Sequence, residues 1–182
     1  MAVALTKSRK LADISPMPGV RAIGIGAFNS LLRIQTTVTG VTDLATYFGT
    51  GSIARLELKN TTTKFLVNGI SGGDNRSTGV DGSIACVFNV PAGGDLETTA
   101  MVDELLKGEV VLFIERNDGK IVCAGSQNGA LVTTADGDTG GQVGDLNGYT
   151  VTFNTMEPDF SRKYILSGDG LVDYAAALKA YV

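Results

Sequence analysis

The 182-residue chain has no histidine, no tryptophan, two cysteines and four prolines, and these shortages narrow its possible chemistry. Without histidine, the usual general base of serine and cysteine nucleophiles is missing, and so are most zinc ligand sets. Cys86 and Cys123 each lie inside an apolar run, where unpaired cysteine is typically buried. We therefore expect two buried free thiols, with a disulfide as the alternative, and neither enzymatic activity nor a bound cofactor.

Long apolar runs are also lacking. No run approaches the roughly 20 residues that a membrane-spanning helix needs. At the N-terminus, the short apolar piece Ala2 to Leu5 precedes Lys7, Arg9 and Lys10, which is the wrong order of charge and the wrong length for a signal peptide. We expect a protein that is made in the cytoplasm without export and does not contact a membrane.

Positive charge is in short supply as well, with 15 basic against 19 acidic residues, a net charge of −4 and a sequence pI near 4.8. This balance argues against a protein that grips nucleic-acid phosphates, although it suits a surface past which a polyanion slides. The 24 glycines and the recurring threonines indicate many turns and strands and little helix. The length fits one domain.

The chain is organised around Glu109 to Ala124, where the apolar runs Val110 to Ile114 and Ile121 to Ala124 flank Asp118-Gly119. Asp-Gly is typical of a two-residue hairpin loop, which would place Arg116 opposite Ile121. One face of this hairpin would then carry Val110, Leu112, Ile114, Ile121 and Cys123, and the other Val111, Phe113, Val122 and Ala124. Because both faces are apolar, we expect both to be covered.

Four further segments complete the predicted organisation. Residues 1–19 form an arm, and residues 68–83, rich in Gly, Asp, Asn and Ser, form a long loop. Residues 95–107 form a helix with Thr98, Met101, Val102 and Leu105 in one stripe and Leu106 beside it. A second helix is predicted over residues 171–182, with Ala175, Leu178 and Tyr181 or Val182 inward.

Alternation of side chains predicts the remaining strands. Thr150, Thr152 and Asn154 alternate with Tyr149, Val151 and Phe153, which gives that strand a polar side. The predicted fold is mainly β: an antiparallel sandwich or barrel over residues 20–182, with one helix packed on a sheet.

Three motifs invite a chemical interpretation. Gly24-x-Gly26 lacks the third glycine and the acidic residue of a dinucleotide loop. Asp138-Thr139-Gly140 spells the aspartic-protease triplet, but no apolar strand precedes it. Hard oxygen donors for calcium occur nearby: Asp136, Asp138, Asp145 and Asn147. The EF-hand spacing is absent, and we interpret residues 135–148 as a glycine-rich hairpin loop, with a calcium site as the alternative.

A series of glycine turns and strands resembles the tail tube and related major structural proteins of tailed bacteriophages. The series covers residues 95–158: the helix, Gly108, Val110 to Ile114, Asp118-Gly119, Ile121 to Ala124, Asn128-Gly129, Thr139-Gly140, Gly144 to Tyr149, and a Thr-rich strand ending at Glu157-Pro158. The resemblance implies two packed sheets and one helix per subunit. It also implies hexameric rings that stack into a tube in the virion tail, with other tail proteins as partners.

In such a tube the strands line a lumen through which DNA passes without specific binding, and the arm and the long loop join the rings. The candidate assembly residues are Leu5, Leu11, Ile14 and Met17 in the arm, and Asn68, Asp74, Arg76 and Asp81 in the loop. Two alternatives remain: another virion structural protein, such as a head-completion or capsid accessory protein, and a calcium- or ligand-binding β-sandwich.

Overall fold

A computed structural model describes residues 19–28, 48, 51–58, 63–71, 78–89, 96–142, 147–157, 165–166 and 174–178. In these ranges the protein is mainly β, with antiparallel strands and one long helix, as the sequence predicts. The elements are β1 Val20–Ala27, β2 Ala54–Glu57, β3 Phe65–Ser71, β4 Thr78–Asn89, α1 Leu96–Lys107, β5 Val110–Arg116, β6 Ile121–Ala124, β7 Ala130–Asp138, β8 Gly148–Glu157 and β9 Ile165–Leu166. None of the described helices is long and apolar enough to cross a membrane.

The nine strands form one sheet that divides at β5. The five-stranded part has the order β2-β1-β5-β6-β9, and the four-stranded part has the order β7-β8-β4-β3. A single residue pair, Val110 with Ala130, joins the two parts. The backbone amide of Val20, at the start of β1, donates to the carbonyl of Thr63, just before β3. This one hydrogen bond links the far edge of the four-stranded part to the five-stranded part.

The main core lies between the two parts and beneath α1. Ile23, Leu112 and Ile114 from the five-stranded part belong to the same buried cluster as Ile84 and Phe153 from the four-stranded part. The predicted helix stripe is confirmed, because α1 adds Val102 and Leu105 to this cluster and Met101 packs at its margin. Leu106, predicted beside the stripe, is exposed. Burial of these side chains, at roughly 25 cal/mol per Å² of apolar surface, is the main stabilising term.

The central hairpin is present, but its predicted register is wrong by one residue. Ile114 pairs with Val122, and Arg116 donates its amide to the carbonyl of Lys120. The loop therefore has three residues, with Gly119 at φ 80° in the left-handed region, a geometry that combines a type I turn with a bulge. Because side chains alternate along a strand, the slip moves every residue of β6 to the opposite face.

As a result, Val122 and Ala124 face the main core together with Leu112 and Ile114. Ile121 and Cys123 lie on the other face with Val111 and Phe113. The expectation that both faces are covered is confirmed, since Ile53, Tyr174 and Ala177 cover the second face. Cys86 and Cys123 are buried thiols that are not linked by a disulfide, as predicted.

The predicted long loop at residues 68–83 is wrong over most of its length. β3 continues to Ser71 and β4 begins at Thr78, and their ladder runs from Phe65 with Ile84 to Ser71 with Thr78. Gly, Asn and Asp disfavour strands in isolation, but here the backbone ladder to β4 and β8 outweighs that local preference.

The predicted loop at residues 135–148 is shorter than expected for the same reason. β7 extends to Asp138, which pairs with Gly148 at the start of β8. In the predicted C-terminal helix, residues 174–177 are helical, and Tyr174 and Ala177 point inward. Ala175 is exposed, so its predicted inward position is wrong, while Leu178 is half-buried. The arm before Gly19 lies outside the described residues.

Candidate assembly surface

Two of the predicted assembly residues lie side by side on the four-stranded part. Asn68 on β3 is the direct cross-strand partner of Asp81 on β4. The others lie outside the described residues: Leu5, Leu11, Ile14, Met17, Asp74 and Arg76. The structure thus brings together one residue from each end of the segment that the sequence predicted as a loop.

The face that carries this pair is turned away from the core, and we call it the open face. One row across it contains Leu131 on β7, Asn154 on β8, Ser83 on β4 and Leu66 on β3. The next row contains Met156, Asp81 and Asn68. Large apolar side chains in these rows are exposed: Leu66 by 44%, Leu131 by 53% and Met156 by 62%. Exposed apolar side chains grouped on one face are typical of an interaction surface.

The open face also carries acceptors that lack donors. Oδ1 of Asp81 and Oδ1 of Asn154 are shielded from solvent and have no hydrogen-bond partner among the described residues. A shielded acceptor without a donor costs about 1–3 kcal/mol. Both oxygens lie on neighbouring strands, since Asp81 pairs with Met156 and Asn154 with Ser83. Additional donors would therefore stabilise this face.

The predicted polar side of β8 is confirmed as part of the open face. Thr150, Thr152 and Asn154 are half-buried there, whereas Val151 and Phe153 are buried in the core. Residues 150–154 of β8 therefore separate an apolar inner side from a polar outer side, whereas Leu66, Leu131 and Met156 add apolar side chains to the open face elsewhere.

Both edges of the four-stranded part lack a strand partner over most of their length. β3 pairs only with β4, and β7 pairs with β5 at Ala130 alone, within the described part of the chain. Leu131 to Asp138 thus has a ladder to β8 on one side only. Unpaired strand edges are templates for pairing with another chain unless they are covered.

The calcium donors are only partly described. Asp136 and Asp138 are exposed on β7, and Oδ1 of Asp138 accepts the amide of Gly140 at 2.8 Å, which stabilises the turn. Asp145 lies outside the described residues. No group of three or more potential metal ligands occurs among the residues that the structure describes. Calcium binding stays a prediction.

A buried ionic cluster lies on the five-stranded part, opposite the main core. Glu115 is 4% exposed, and its carboxylate accepts two hydrogen bonds from Arg55, each 2.7 Å long. It also accepts a hydrogen bond from Nη2 of Arg21, at 3.1 Å, and one from the hydroxyl of Tyr174, at 2.9 Å. The two-point contact with Arg55 fits the planar geometry of both groups. This cluster ties together β1, β2, β5 and the C-terminal segment.

The Glu115 carboxyl and the Cys86 thiol have shifted pKa values. Burial alone raises the pKa of the Glu115 carboxyl, but hydrogen bonds from Arg55, Arg21 and Tyr174 and the charge of Arg55 outweigh it, so that the pKa is lowered. Burial raises the pKa of the Cys86 thiol to about 12, which keeps this thiol protonated and unreactive at neutral pH. Neither group has the properties of a catalytic centre.

Gly24-x-Gly26 makes room for aromatic rings. A Cβ at Gly24 would overlap the hydroxyl of Tyr174, and one at Gly26 would lie 2.7 Å from the ring of Phe48. Phe113 lies between these rings, with centroids 5.7 Å from Phe48 and 5.3 Å from Tyr174. The two glycines therefore serve close packing on β1.

Comparisons with protein families, curated proteins and solved structures find no match for this chain. Among the described residues, the features that bear on function are the open face and the two edge strands of the four-stranded part, β3 and β7. The sequence analysis did not predict that Arg55, Glu115 and Tyr174 form a cluster. The available signal was Glu115, a carboxylate at the end of an apolar run, since such a charge requires a partner when buried.

Proposed function

We propose that this chain is a structural subunit of a bacteriophage tail tube, which assembles with copies of itself into stacked hexameric rings and forms a conduit for DNA. The observation that carries the proposal is the four-stranded part, with its open face and its two edges, β3 and β7. The resemblance of residues 95–158 to tail tube proteins points in the same direction. The proposed partners are further copies of this chain and other tail proteins.

Edge directions favour a ring. Each neighbouring pair in β7-β8-β4-β3 is antiparallel, so β3 runs opposite to β7. When copies are related by rotation about an axis along the strands, β7 of the next copy keeps its direction and meets β3 in an antiparallel pair. The new pair has the same geometry as those within the subunit. A closed ring of this kind leaves no free edge in the four-stranded part.

The open face then lines the lumen. Its threonine and asparagine side chains suit a water-filled channel, and its carboxylates, Asp81, Asp136 and Asp138, make the wall negative. A negative wall does not retain phosphates, so DNA passes without being held. The function is mechanical, and no catalytic group is required.

The test is the assembly state of the purified chain. Sedimentation velocity over a wide concentration range, together with negative-stain electron microscopy, should reveal hexameric rings and stacked tubes. Assembly should be the same with calcium and with chelator, because strand edges carry the contact.

Four results would contradict the proposal. A strictly monomeric protein at high concentration, with or without a nucleating tail protein, would exclude self-assembly into a tube. Loss of several degrees of thermal stability on chelation, without any assembly, would instead identify a calcium-binding β-sandwich. Closed shells would favour a capsid role, and rings of another number a head-completion role.

A further inference from the structure

A cavity of about 320 Å³ lies between β3 and the central hairpin. Apolar side chains form much of its lining: Phe65, Val67, Ile114 and Val122. Lys64 and Arg116 add two positive charges to the lining. A mostly apolar cavity with a cationic rim suits an occupant that carries an apolar side chain next to a carboxylate.

The two cations differ in their partners. Arg116 is paired with Asp118 at 2.9 Å, so its charge is largely compensated. Lys64 is exposed and forms no ion pair with another described residue. Among the described residues that line this cavity, Lys64 is therefore the cation without an ion-pair partner in that part of the chain.

The opposite edge of the four-stranded part offers such a carboxylate on α1, which packs along β7. The hydroxyls of Thr99 and Tyr149 are 2.8 Å apart, so the flank of α1 that bears Thr99 faces β8. Val102 points into the core. Helical geometry then places Met101 and Glu104, three residues apart, on the flank that faces away from β8.

We propose that this cavity receives the α1 flank of a second copy, with Met101 in the apolar part and Glu104 paired with Lys64. The inference rests on the ring proposed above. When β7 of one copy pairs with β3 of the next, the helix along β7 comes to the cavity beside β3. Met101 is half-buried and Glu104 exposed in the single copy, so both gain contacts on assembly. The flexible methionine side chain adapts well to such a cavity.

Charge reversal tests the pair directly. Lys64→Glu and Glu104→Lys should each raise the concentration needed for half-assembly about tenfold, which corresponds to about 1.4 kcal/mol. The double variant restores opposite charges and should return to within about threefold of wild type. Asp103→Lys is the matched control, because Asp103 is exposed on α1 and pairs with Lys107 on the helix surface. It should assemble like wild type.

Disulfide cross-linking provides a second test, because it measures whether positions 64 and 104 of two copies lie close together. A mixture of Lys64→Cys and Glu104→Cys proteins should form disulfide-linked dimers under mild oxidation, whereas Lys64→Cys mixed with Asp103→Cys should not. The native thiols are buried and do not interfere. Single variants that assemble like wild type, or a double variant that is not rescued, would overturn this contact while leaving tube formation intact. Absence of assembly in the wild type would overturn both the contact and the proposed function.

Discussion

The two parts of the sheet differ in how much of their surface one copy covers. β5 in the five-stranded part is buried at all positions from Val110 to Glu115, whereas β7 in the four-stranded part is exposed at most positions after Ala130. The two strands pair at one residue position only, so their remaining residues have different neighbours. β5 is thus covered on both faces within one copy, whereas β7 exposes most of its side chains, and under the proposed assembly a second copy would cover its edge.

Phe113→Ala tests the completeness of the five-stranded part and should have the largest effect. Phe113 is fully buried between Phe48 and Tyr174. Truncation removes these ring contacts and leaves a cavity, so we expect a loss of about 3–5 kcal/mol in the free energy of unfolding. Urea denaturation measures this loss. A cost below about 1 kcal/mol would mean that this face is loosely packed.

Glu115→Gln tests the buried ionic cluster formed by Glu115, Arg55, Arg21 and Tyr174. The substitution keeps the shape of the side chain but removes the buried counter-charge of Arg55, whose side chain is 13% exposed, and leaves it only the exposed carboxylate of Glu57. We expect a loss of about 3 kcal/mol. Glu57→Gln is the matched control, because Glu57 also contacts Arg55 but is 70% exposed, and it should change stability by less than about 0.5 kcal/mol. Equal effects of the two variants would contradict a role for burial.

The same cluster predicts a pH dependence. Because the pKa of Glu115 is lower in the folded state than its ordinary value of 4.5, the unfolded chain binds the proton more readily. The stabilisation by Glu115 is therefore present above that ordinary value and is lost as pH falls through the folded pKa. The stability difference between wild type and Glu115→Gln should shrink in acid. A difference that stays constant down to the acid transition would contradict this linkage.

The sequence predicted the five-stranded part better than the four-stranded part, for a physical reason. The apolar run Val110 to Ile114 specifies a covered strand whatever its neighbours are. The register of the hairpin depended on the length of the loop at Gly119. One additional loop residue moves every side chain of β6 to the opposite face of the sheet. In contrast, Asn68 and Asp81 lie in strands because of their partners: β3 pairs with β4 at these two residues, and Asp81 also pairs with Met156 on β8. Local preference is overridden there by partners distant in sequence.

The candidate site was predictable only in part. Asn68 and Asp81 were singled out because they lie in a Gly- and Asp-rich stretch, and the structure places them together on the open face. The partners of Glu115 were not predictable, since Arg55 is 60 residues away and Tyr174 is 59 residues away. Such contacts follow from the fold as a whole and leave no local pattern in the sequence.

Gly24→Ala should have an intermediate effect, because the added methyl group would overlap Tyr174. We expect a loss of about 1–3 kcal/mol, accompanied by faster proteolysis near Tyr174. Gly108→Ala is the control, since its nearest neighbour would be a backbone oxygen at 3.7 Å. In a Tyr174→Phe background the cost of Gly24→Ala should fall, because the overlapping hydroxyl is absent. Strictly additive losses would show that the two residues do not meet.

Leu131→Thr should have the smallest effect on stability, and it sharpens the comparison between the two parts of the sheet. Leu131 is 53% exposed on the open face, while its neighbour Val132 packs against the main core. We expect Leu131→Thr to change the free energy of unfolding by less than about 0.5 kcal/mol and Val132→Thr to cost more, because its hydroxyl would enter the core.

Both substitutions introduce the same residue into the same edge strand, so the new residue is matched and the side of the strand is the main difference between the two sites. Denaturation at concentrations below assembly isolates the single copy. A cost above about 1 kcal/mol for Leu131→Thr under these conditions would mean that the open face is already covered within one copy. The four-stranded part would then be as complete as the five-stranded part, and the argument for self-assembly through it would fail.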